Sequence, residues 1–447
     1  MARALMALPL AAAAGCFHAT PYSPSFAQQE WDAVREADRA RAPRTGATTE
    51  DQPGSAGGGL TADETFALAV ARSPEVTALA ATTDTAVAEI QAARQLDNPQ
   101  LRFTGFNVDD AISSQPALNI GLRVPIPRPG TLRAQATAAE VAADGQRGLT
   151  DGATRLLRQR IDLLFAELSV LTADLEHAAR AGELQVERRE LLAARAEQAV
   201  ATRVDVAMAE VERARTSQDL GLVRDRIAEI EEELARLAGI HGPARFQPDP
   251  EHLRVLRADL DHDALVEQAL ASRPELRTAH ALVVEAEAEA HVAKADAWPW
   301  FDWAQIQYRA APGNPPSAFG LAVALTLPVL SWNRGELKAS KALVRQRRAE
   351  QRSQVVLVAD EVDAAAAKVE RTAVRVLDLE RELLPAVDAA AREAQAALAD
   401  GVLDPIVVNQ IEAEAVAVRR VHLAALLEHR QAVVTLEAVL GGPLRAP

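Results

Sequence analysis

Cysteine occurs only once in the 447 residues, so no disulfide can form within one chain. Aromatic residues make up 4% of the sequence, which is low for an ordinary globular core and common where helices pack through Ala, Leu and Val. The net charge of −15 argues against nucleic-acid binding, because phosphate recognition needs a basic surface. No apolar run reaches the ~18–20 residues of a spanning helix, so any membrane contact would need another device.

The motifs of the common enzyme classes are also missing. The sequence has no H-E-x-x-H, C-x-x-C or G-x-S-x-G motif. The glycines of 43–59 follow no strand and precede no Gly-Lys-Ser/Thr, so this stretch indicates a flexible linker rather than a phosphate loop. The histidines are scattered, and His422 and His429 are too far apart to share a metal. We therefore expect no catalytic residue, no metal site and no cofactor.

The N-terminus predicts export. Arg3 precedes the apolar run 5–14, and Ala14-Gly15 leads directly into Cys16. This order resembles a bacterial lipobox, in which the cysteine is lipidated, although Ala13 stands where leucine is usual. We expect a signal peptide at 1–16 and a flexible segment at 17–59. The alternative is ordinary cleavage after Ala27, which would discard Cys16. Phe17 replaces the aspartate that retains lipoproteins at the inner membrane, which favours the outer membrane.

The rest of the sequence contains an internal duplication with an offset of about 200 residues. The two openings agree in order, with Leu60 matching Leu260, Ala69 matching Ala269, and Pro74-Glu75 matching Pro274-Glu275. Near the ends, Val204-Asp205 matches Leu403-Asp404, and Leu237-Ala-Gly239 matches Val439-Leu-Gly441. We expect a first repeat at 60–259 and a second repeat at 260–447.

Each repeat predicts a short helix, a pair of strands, a very long helix and a returning helix. The helices are expected at 74–96, 134–201 and 205–238, and again at 274–297, 337–399 and 405–440, with strands at about 100–125 and 300–329. At 1.5 Å per residue, the long helices are rods of roughly 100 Å.

The long helices carry apolar seams with steps of three and four residues. The seam residues are Ile161, Leu164, Leu168, Leu171, Leu175 and Ala178 in the first repeat, and Val355, Val358, Val362, Ala365, Val369, Thr372, Val376, Leu379 and Leu383 in the second. A seam this long cannot be buried in a compact globule. It needs neighbouring helices of similar total length, which the short and returning helices could provide.

The predicted strands have two different faces, because large apolar residues alternate with small or polar ones. The apolar positions are Leu118, Ile120, Leu122 and Val124 in the first repeat, and Leu321, Val323, Leu325 and Leu327 in the second. Asn119, Gly121 and Arg123 fall on the other face of the first pair, and Gly320, Ala322, Ala324 and Thr326 on the other face of the second.

Over residues 60–442 the chain resembles the TolC-type outer-membrane efflux proteins. The resemblance rests on the paired Pro-Glu openings, Asn98-Pro99-Gln-Leu101, the segment Pro125-Ile-Pro-Arg-Pro-Gly130, and Leu383-Leu-Pro385 followed by Asp400-Gly401 and Leu403-Asp404. The turn Ala201-Thr-Arg-Val-Asp205 lacks the usual glycine. Val407 stands where a second acidic residue is often found.

The resemblance implies a mainly α fold with a β-barrel part: a homotrimer whose twelve-stranded outer-membrane barrel continues into a periplasmic coiled-coil barrel. Four strands per chain cannot close a barrel in lipid, but three chains supply twelve. The apolar strand positions above would then face outer-membrane lipid. Four tryptophans would form an aromatic belt at one membrane interface: Trp298, Trp300, Trp303 and Trp332. The alternative for these residues is core packing where helices meet the sheet.

The implied function is a passive exit duct from the periplasm for small molecules or metal cations. The implied partners are a periplasmic adaptor and an inner-membrane pump, of the RND type in our prediction. The helix turns at Arg203 and Asp205 and at Asp400 and Asp404 would dock the adaptor and gate the tube, with Arg203 as the candidate partner of the carboxylates. Asp205 and Asp404 could instead simply cap the returning helices. The alternatives are a type I protein-secretion channel and a secreted coiled-coil scaffold.

Overall fold

The structure is a computed structural model that describes residues 59–104, 118–240, 244–255, 260–310, 318–328 and 332–444. The predicted signal peptide at 1–16, Cys16 and almost all of the segment 17–59 lie outside the described residues.

The same order of elements occurs twice along the chain. The first series is α1 (Ala62–Arg72), α2 (Pro74–Arg94), β1 (Gln100–Thr104), β2 (Leu118–Pro125), α3 (Thr131–Glu197) and α4 (Arg203–Leu237). The second is α5 (His262–Ser272), α6 (Pro274–Asp296), β3 (Trp300–Ala310), β4 (Ala318–Thr326), α7 (Arg334–Asp378), α8 (Leu384–Ala399) and α9 (Pro405–Leu440). A 3₁₀ turn at Pro250–Leu253 lies between the two series, and a π-helical turn at Leu379–Leu383 joins α7 to α8.

Side-chain caps fix where several helices begin. Thr61 and Glu64 form a capping box at the start of α1, and the Ser73 hydroxyl accepts from the Val76 amide at the start of α2. Pro74 at the first position of α2 gives up no helical hydrogen bond, because that amide would have no partner within the helix. Asp261 caps α5 in the same position that Thr61 has in the first series.

The predicted seams form the helical cores. Ile161, Leu164 and Leu168 are buried with Phe165 of α3, Ile230 and Leu234 of α4, and Ala69 of α1. In the second series Val358, Val362, Ala365 and Val369 of α7 are buried with Val433 and Leu436 of α9 and Ala269 of α5. Only the ends of the predicted seam, Val355 and Leu383, are exposed.

The shorter helices share the length of α3, as expected. Along its first part α3 contacts α2, where Gln146 donates to Thr82 across 2.7 Å and the Thr83 and Thr150 hydroxyls lie 3.2 Å apart. Further along, α3 packs against α4 through the cluster of Ile161 and Ile230.

The two series join in one antiparallel sheet of order β1-β2-β3-β4. The pairing of β2 with β3 places Leu122 opposite Ile306 and Arg123 opposite Gln305. A register irregularity between Phe301 and Trp303 interrupts the pairing of β3 with β4. One chain therefore forms a four-stranded sheet with β1 and β4 at its edges. None of the helices in the described part of the chain is long and apolar enough to cross a membrane.

Candidate functional site

The sheet presents an apolar face to solvent. Residues directly opposite each other in an antiparallel pair share a face. The pairs Phe103–Ile120, Leu122–Ile306, Ile306–Leu321, Tyr308–Phe319 and Ala304–Val323 therefore define one continuous apolar face. Leu321 is 75% exposed and Phe319 is 80% exposed. Leu122, Val124, Val323, Leu325 and Leu327 are exposed as well, and Leu118 begins β2 in register with Ala310.

The polar face of the sheet is better packed than the apolar face. It contains Arg102, Gly121, Arg123, Trp303, Gln305 and Gln307. Gln305 is only 9% exposed, and its side-chain amide donates to Gln307 across 3.3 Å. Arg123 Nε donates to the Gln305 oxygen across 3.2 Å, and the guanidinium carbon lies 3.7 Å from the centre of the Trp303 ring. A Cβ at position 121 would lie 2.5 Å from Gln305 Nε2, so Gly121 leaves the space that this amide occupies.

The four tryptophans do not share one environment. Trp298 and Trp332 are exposed near the two ends of the β3–β4 hairpin. Trp300 Nε1 donates to the Ile126 carbonyl across 3.1 Å, which joins β3 to the segment after β2. Trp303 lies on the polar face beneath Arg123, so the structure differs from the predicted belt at this residue. The irregularity around Asp302 reverses the alternation, because Phe301 pairs with Leu325 of the apolar face and Trp303 with Ala324 of the polar face.

At the far end of the helices, the turn between α3 and α4 is built on a capping box. The Thr202 amide donates to Asp205 Oδ2 across 2.8 Å, and the Asp205 amide donates to the Thr202 hydroxyl across 3.1 Å. The Thr202 amide and then the Thr202 hydroxyl both donate to the Asp205 carboxylate, and they hold its pKa below the usual value. The N-cap is therefore Thr202, whereas Asp205 lies in the first turn. Val200 and Val204 beside the cap are exposed.

Asp404 is the N-cap of α9 and forms an ion pair with α3. Its Oδ1 accepts from the Ile406 amide across 2.8 Å, and Arg195 Nη2 lies 2.6 Å from both carboxylate oxygens. The Arg195 hydrogen bond and then the Ile406 amide lower the pKa of Asp404. Within one chain the partner of Asp404 is Arg195 from the last turn of α3, and not Arg203, the candidate from the sequence. Arg203 is exposed at the first position of α4.

Asp400 lies at the end of α8, where Gly401 adopts a φ of +72°. This left-handed conformation lets the Val402 and Leu403 amides bond back to the Ala397 carbonyl, so the chain turns into α9. Within the described residues Asp400 forms no ion pair. Val402 beside it is 80% exposed, so both turns present a valine to solvent. The described residues contain no cluster of three or more His, Cys, Asp or Glu that could hold a metal ion.

Sequence reasoning missed a partly buried charge network between the two series. Arg273 is 7% exposed and binds Glu361 of α7, while Arg155 of α3 binds Glu275 and the Ala438 carbonyl. Glu275 belongs to the second Pro-Glu opening, so comparison of the two repeats identified this residue but not its partners. Arg155 and Glu275 are 120 positions apart in the sequence, and no local pattern joins them.

Several solved structures share this fold, and they include outer-membrane channels. The outer membrane protein VceC from Vibrio cholerae matches with a TM-score of 0.68 and 18% identity, covering 86% of this chain and 97% of that chain. The open state of the MtrE outer membrane channel of Neisseria gonorrhoeae matches with a TM-score of 0.66 and 18% identity, covering 86% and 89%. CusC, a protein that forms a transmembrane channel, matches with a TM-score of 0.69 and 15% identity, covering 85% of this chain and 92% of that chain. The fold is therefore that of outer-membrane channel proteins.

A match to a known protein family lies in the second repeat. Residues 265–442 match the sequence model of the family described as outer membrane efflux protein. No curated protein sequence matches the chain. This match covers less than half of the chain, and together with the solved structures it supports the resemblance to the TolC-type efflux proteins. The family model and the solved structures support the predicted location, the outer membrane with an extension into the periplasm.

Proposed function

We propose that three copies of this chain form a passive outer-membrane duct that carries small molecules or metal cations out of the periplasm. The observation that carries the proposal is the exposure of the two faces of the sheet, which is the reverse of that in a water-soluble protein. The apolar face of the sheet, with Leu321 and Phe319, is exposed, whereas Gln305 on its polar face is packed against its neighbours. A sheet in water alone would place these faces the other way round, because burying apolar surface stabilises a fold. Outer-membrane barrels place apolar residues towards lipid and polar residues towards a water-filled interior.

The sheet edges support closure by neighbouring copies. β1 and β4 are the outer strands of the four-stranded sheet, and an unpaired strand edge is not tolerated in lipid. Pairing β4 of one copy with β1 of the next, three times around, gives twelve strands. The exposed Trp298 and Trp332 would then lie at a membrane interface.

The helices would extend this duct into the periplasm. α3 has 67 residues, so its tip lies roughly 100 Å from the sheet. Exposed valines at both turns, including Val204 and Val402, give the tips an apolar surface on which a periplasmic adaptor could dock. The pump, of the RND type in this proposal, would supply the energy from the inner membrane. We propose no enzymatic activity, and Cys16 would add a lipid anchor.

Other functions fit less of the molecule. A type I secretion channel could share this fold, but nothing in the described residues favours a protein substrate. A secreted coiled-coil scaffold would account for the helical seams but not for the exposed apolar face of the sheet.

Single-channel recording in planar bilayers tests the proposal and the role of the second tip together. The purified protein should insert and conduct, whereas a scaffold would give no conductance. Asp404→Asn should change the conductance or its block by divalent cations, because it removes the charge that balances Arg195 near the narrow end.

Asp205→Asn is the matched control, because it makes the same change in a capping carboxylate that forms no ion pair in the described residues. It should lower the free energy of unfolding by about 0.5–2 kcal/mol, as the loss of a capping interaction does. Its effect on conductance should be much smaller. If both variants lower only stability, the two aspartates serve only to stabilise the starts of their helices, and the gate lies elsewhere. If the parent protein never conducts, the duct itself is wrong.

A further inference from the structure

The polar face of the sheet is basic. Arg102 on β1 lies opposite Gly121, and Arg123 lies two residues further along β2. Asp302 is the only carboxylate in the four strands. It lies at the irregularity of β3, where it accepts from the Thr326 hydroxyl. Within the described residues, neither Arg102 nor Arg123 forms an ion pair. Arg102 and Arg123 therefore give the polar face two positive charges per chain that no strand carboxylate balances, and Arg309 of β3 lies opposite Asn119 in the same register.

The position of Arg123 is fixed by its neighbours. Its Nε is bound to the Gln305 oxygen, and its guanidinium stacks on the Trp303 ring. Gln305 is held in turn by Gln307 and by the space that Gly121 leaves. Stacking and an amide hydrogen bond orient a guanidinium without neutralising it. The charge is thus held against the sheet and does not move freely on a flexible side chain.

We propose that Arg102 and Arg123 form a basic band inside the barrel that makes the outer section of the channel favour anionic and uncharged solutes and repel divalent cations. The inference rests on the proposed function, because it requires that the polar face line the pore. Three copies would place six arginines at two neighbouring levels of the lumen. Rings of arginine select for anions, and a low-dielectric wall strengthens their field. The sheet would then oppose the cation preference expected from carboxylates at the tips.

The reversal potential of reconstituted channels across a KCl gradient tests the band. The double variant Arg102→Gln, Arg123→Gln should shift the reversal potential towards that of K⁺ and increase the current carried by Mg²⁺. The matched control, Arg102→Lys with Arg123→Lys, keeps both charges and should retain the selectivity of the parent. The shift should grow at low salt, where charges are less screened.

A second variant covers the case in which the double variant fails to assemble. Gln305→Glu adds a carboxylate at the atom that Arg123 already contacts, and it should shift the reversal potential in the same direction. If the double glutamine variant or Gln305→Glu conducts with the selectivity of the parent, the proposed basic band is wrong, but the proposed duct is not affected. If the parent itself forms no channel, it is the proposed function that has failed.

Discussion

At the scale of single residues, two buried histidines are held by hydroxyls of the long helices. His252 Nδ1 lies 3.2 Å from Ser169 Oγ of α3, and His429 Nδ1 lies 3.0 Å from Thr372 Oγ1 of α7. Both rings are almost fully buried. Burial and then the charge of Arg430 lower the pKa of both histidines, because the protonated ring would lose its hydration beside another cation.

The buried histidines predict a loss of stability in acid. The unfolded chain has an ordinary histidine pKa of about 6.5 and binds more protons than the folded chain below that pH. The stabilisation that comes from the two neutral histidines should therefore be fully present above about pH 6.5. It should be lost as the pH decreases below this value, so the free energy of unfolding falls. The double variant His252→Gln, His429→Gln should flatten this slope between about pH 5 and 7, measured by denaturant unfolding in detergent.

His262 provides a control of opposite sign. Burial lowers the pKa of its ring, but hydrogen bonds to Asp363 and Glu370 outweigh this effect and raise it. Its contribution to stability is therefore present at low pH and lost as the pH rises through its folded pKa. His262→Gln should make the acid loss steeper. The same change of slope in both sets of variants would contradict the assignment.

At the scale of elements, the joint between α3 and α6 depends on the absence of side chains. A Cβ at Gly145 would lie 2.8 Å from Ala281 Cβ, and one at Gly148 would lie 3.0 Å from the Pro274 carbonyl oxygen. Thr278 Oγ1 donates to the Gly145 carbonyl across 3.2 Å. Two glycines one turn apart thus let a helix of the second series approach α3 closely.

Because of this close approach, we expect glycine-to-alanine substitutions at two positions of α3 to change the free energy of unfolding in opposite directions. Alanine in place of a helical glycine normally stabilises by up to about 1 kcal/mol. Gly182→Ala should do so, because no neighbouring atom lies within 4 Å of the added methyl group. Gly145→Ala should instead lower the free energy of unfolding by about 1–3 kcal/mol, since overpacking would force α6 away from α3. Thermal unfolding followed by circular dichroism measures both. Stabilisation by both variants would mean that the joint is loose.

At the scale of the whole molecule, the sheet is the part of one chain that is left uncovered. Its two edge strands and its apolar face would all be covered if three chains closed a barrel in lipid. Each helical series has a buried core within one chain, with Phe165 and Val362 fully buried. We infer that the sheet needs neighbouring chains in the membrane to cover its edges and its apolar face.

Charge on the apolar face should therefore prevent membrane assembly. Leu321→Arg would place a cation towards lipid, which costs about 2–4 kcal/mol per chain near the bilayer midplane. We expect loss of the heat-sensitive trimer band of unboiled samples and loss of the protein from the outer-membrane fraction. Leu321→Ala removes the same side chain without adding charge and should keep the trimer. A Leu321→Arg protein that still assembles would show that this face meets water.

Local sequence determined much of the architecture. The duplication, the helix lengths and the two-faced strands follow from periods of 3.5 and 2 residues and from capping residues, which act over a few positions. The predicted helices at 74–96 and 405–440 are observed as Pro74–Arg94 and Pro405–Leu440. The apolar faces of both strand pairs were predictable for the same reason.

Only the tertiary structure decided which distant residues meet. Asp404 binds Arg195 rather than Arg203, because the packing of α9 against α3 sets which turns of the two helices lie level. Phe301 joins the apolar face, because an irregularity at Asp302 breaks the alternation that places Trp303 and Gln305 together on the polar face. Helical and strand periods fix the face on which a residue lies. Its partner depends on the register between elements, which no single stretch of sequence encodes.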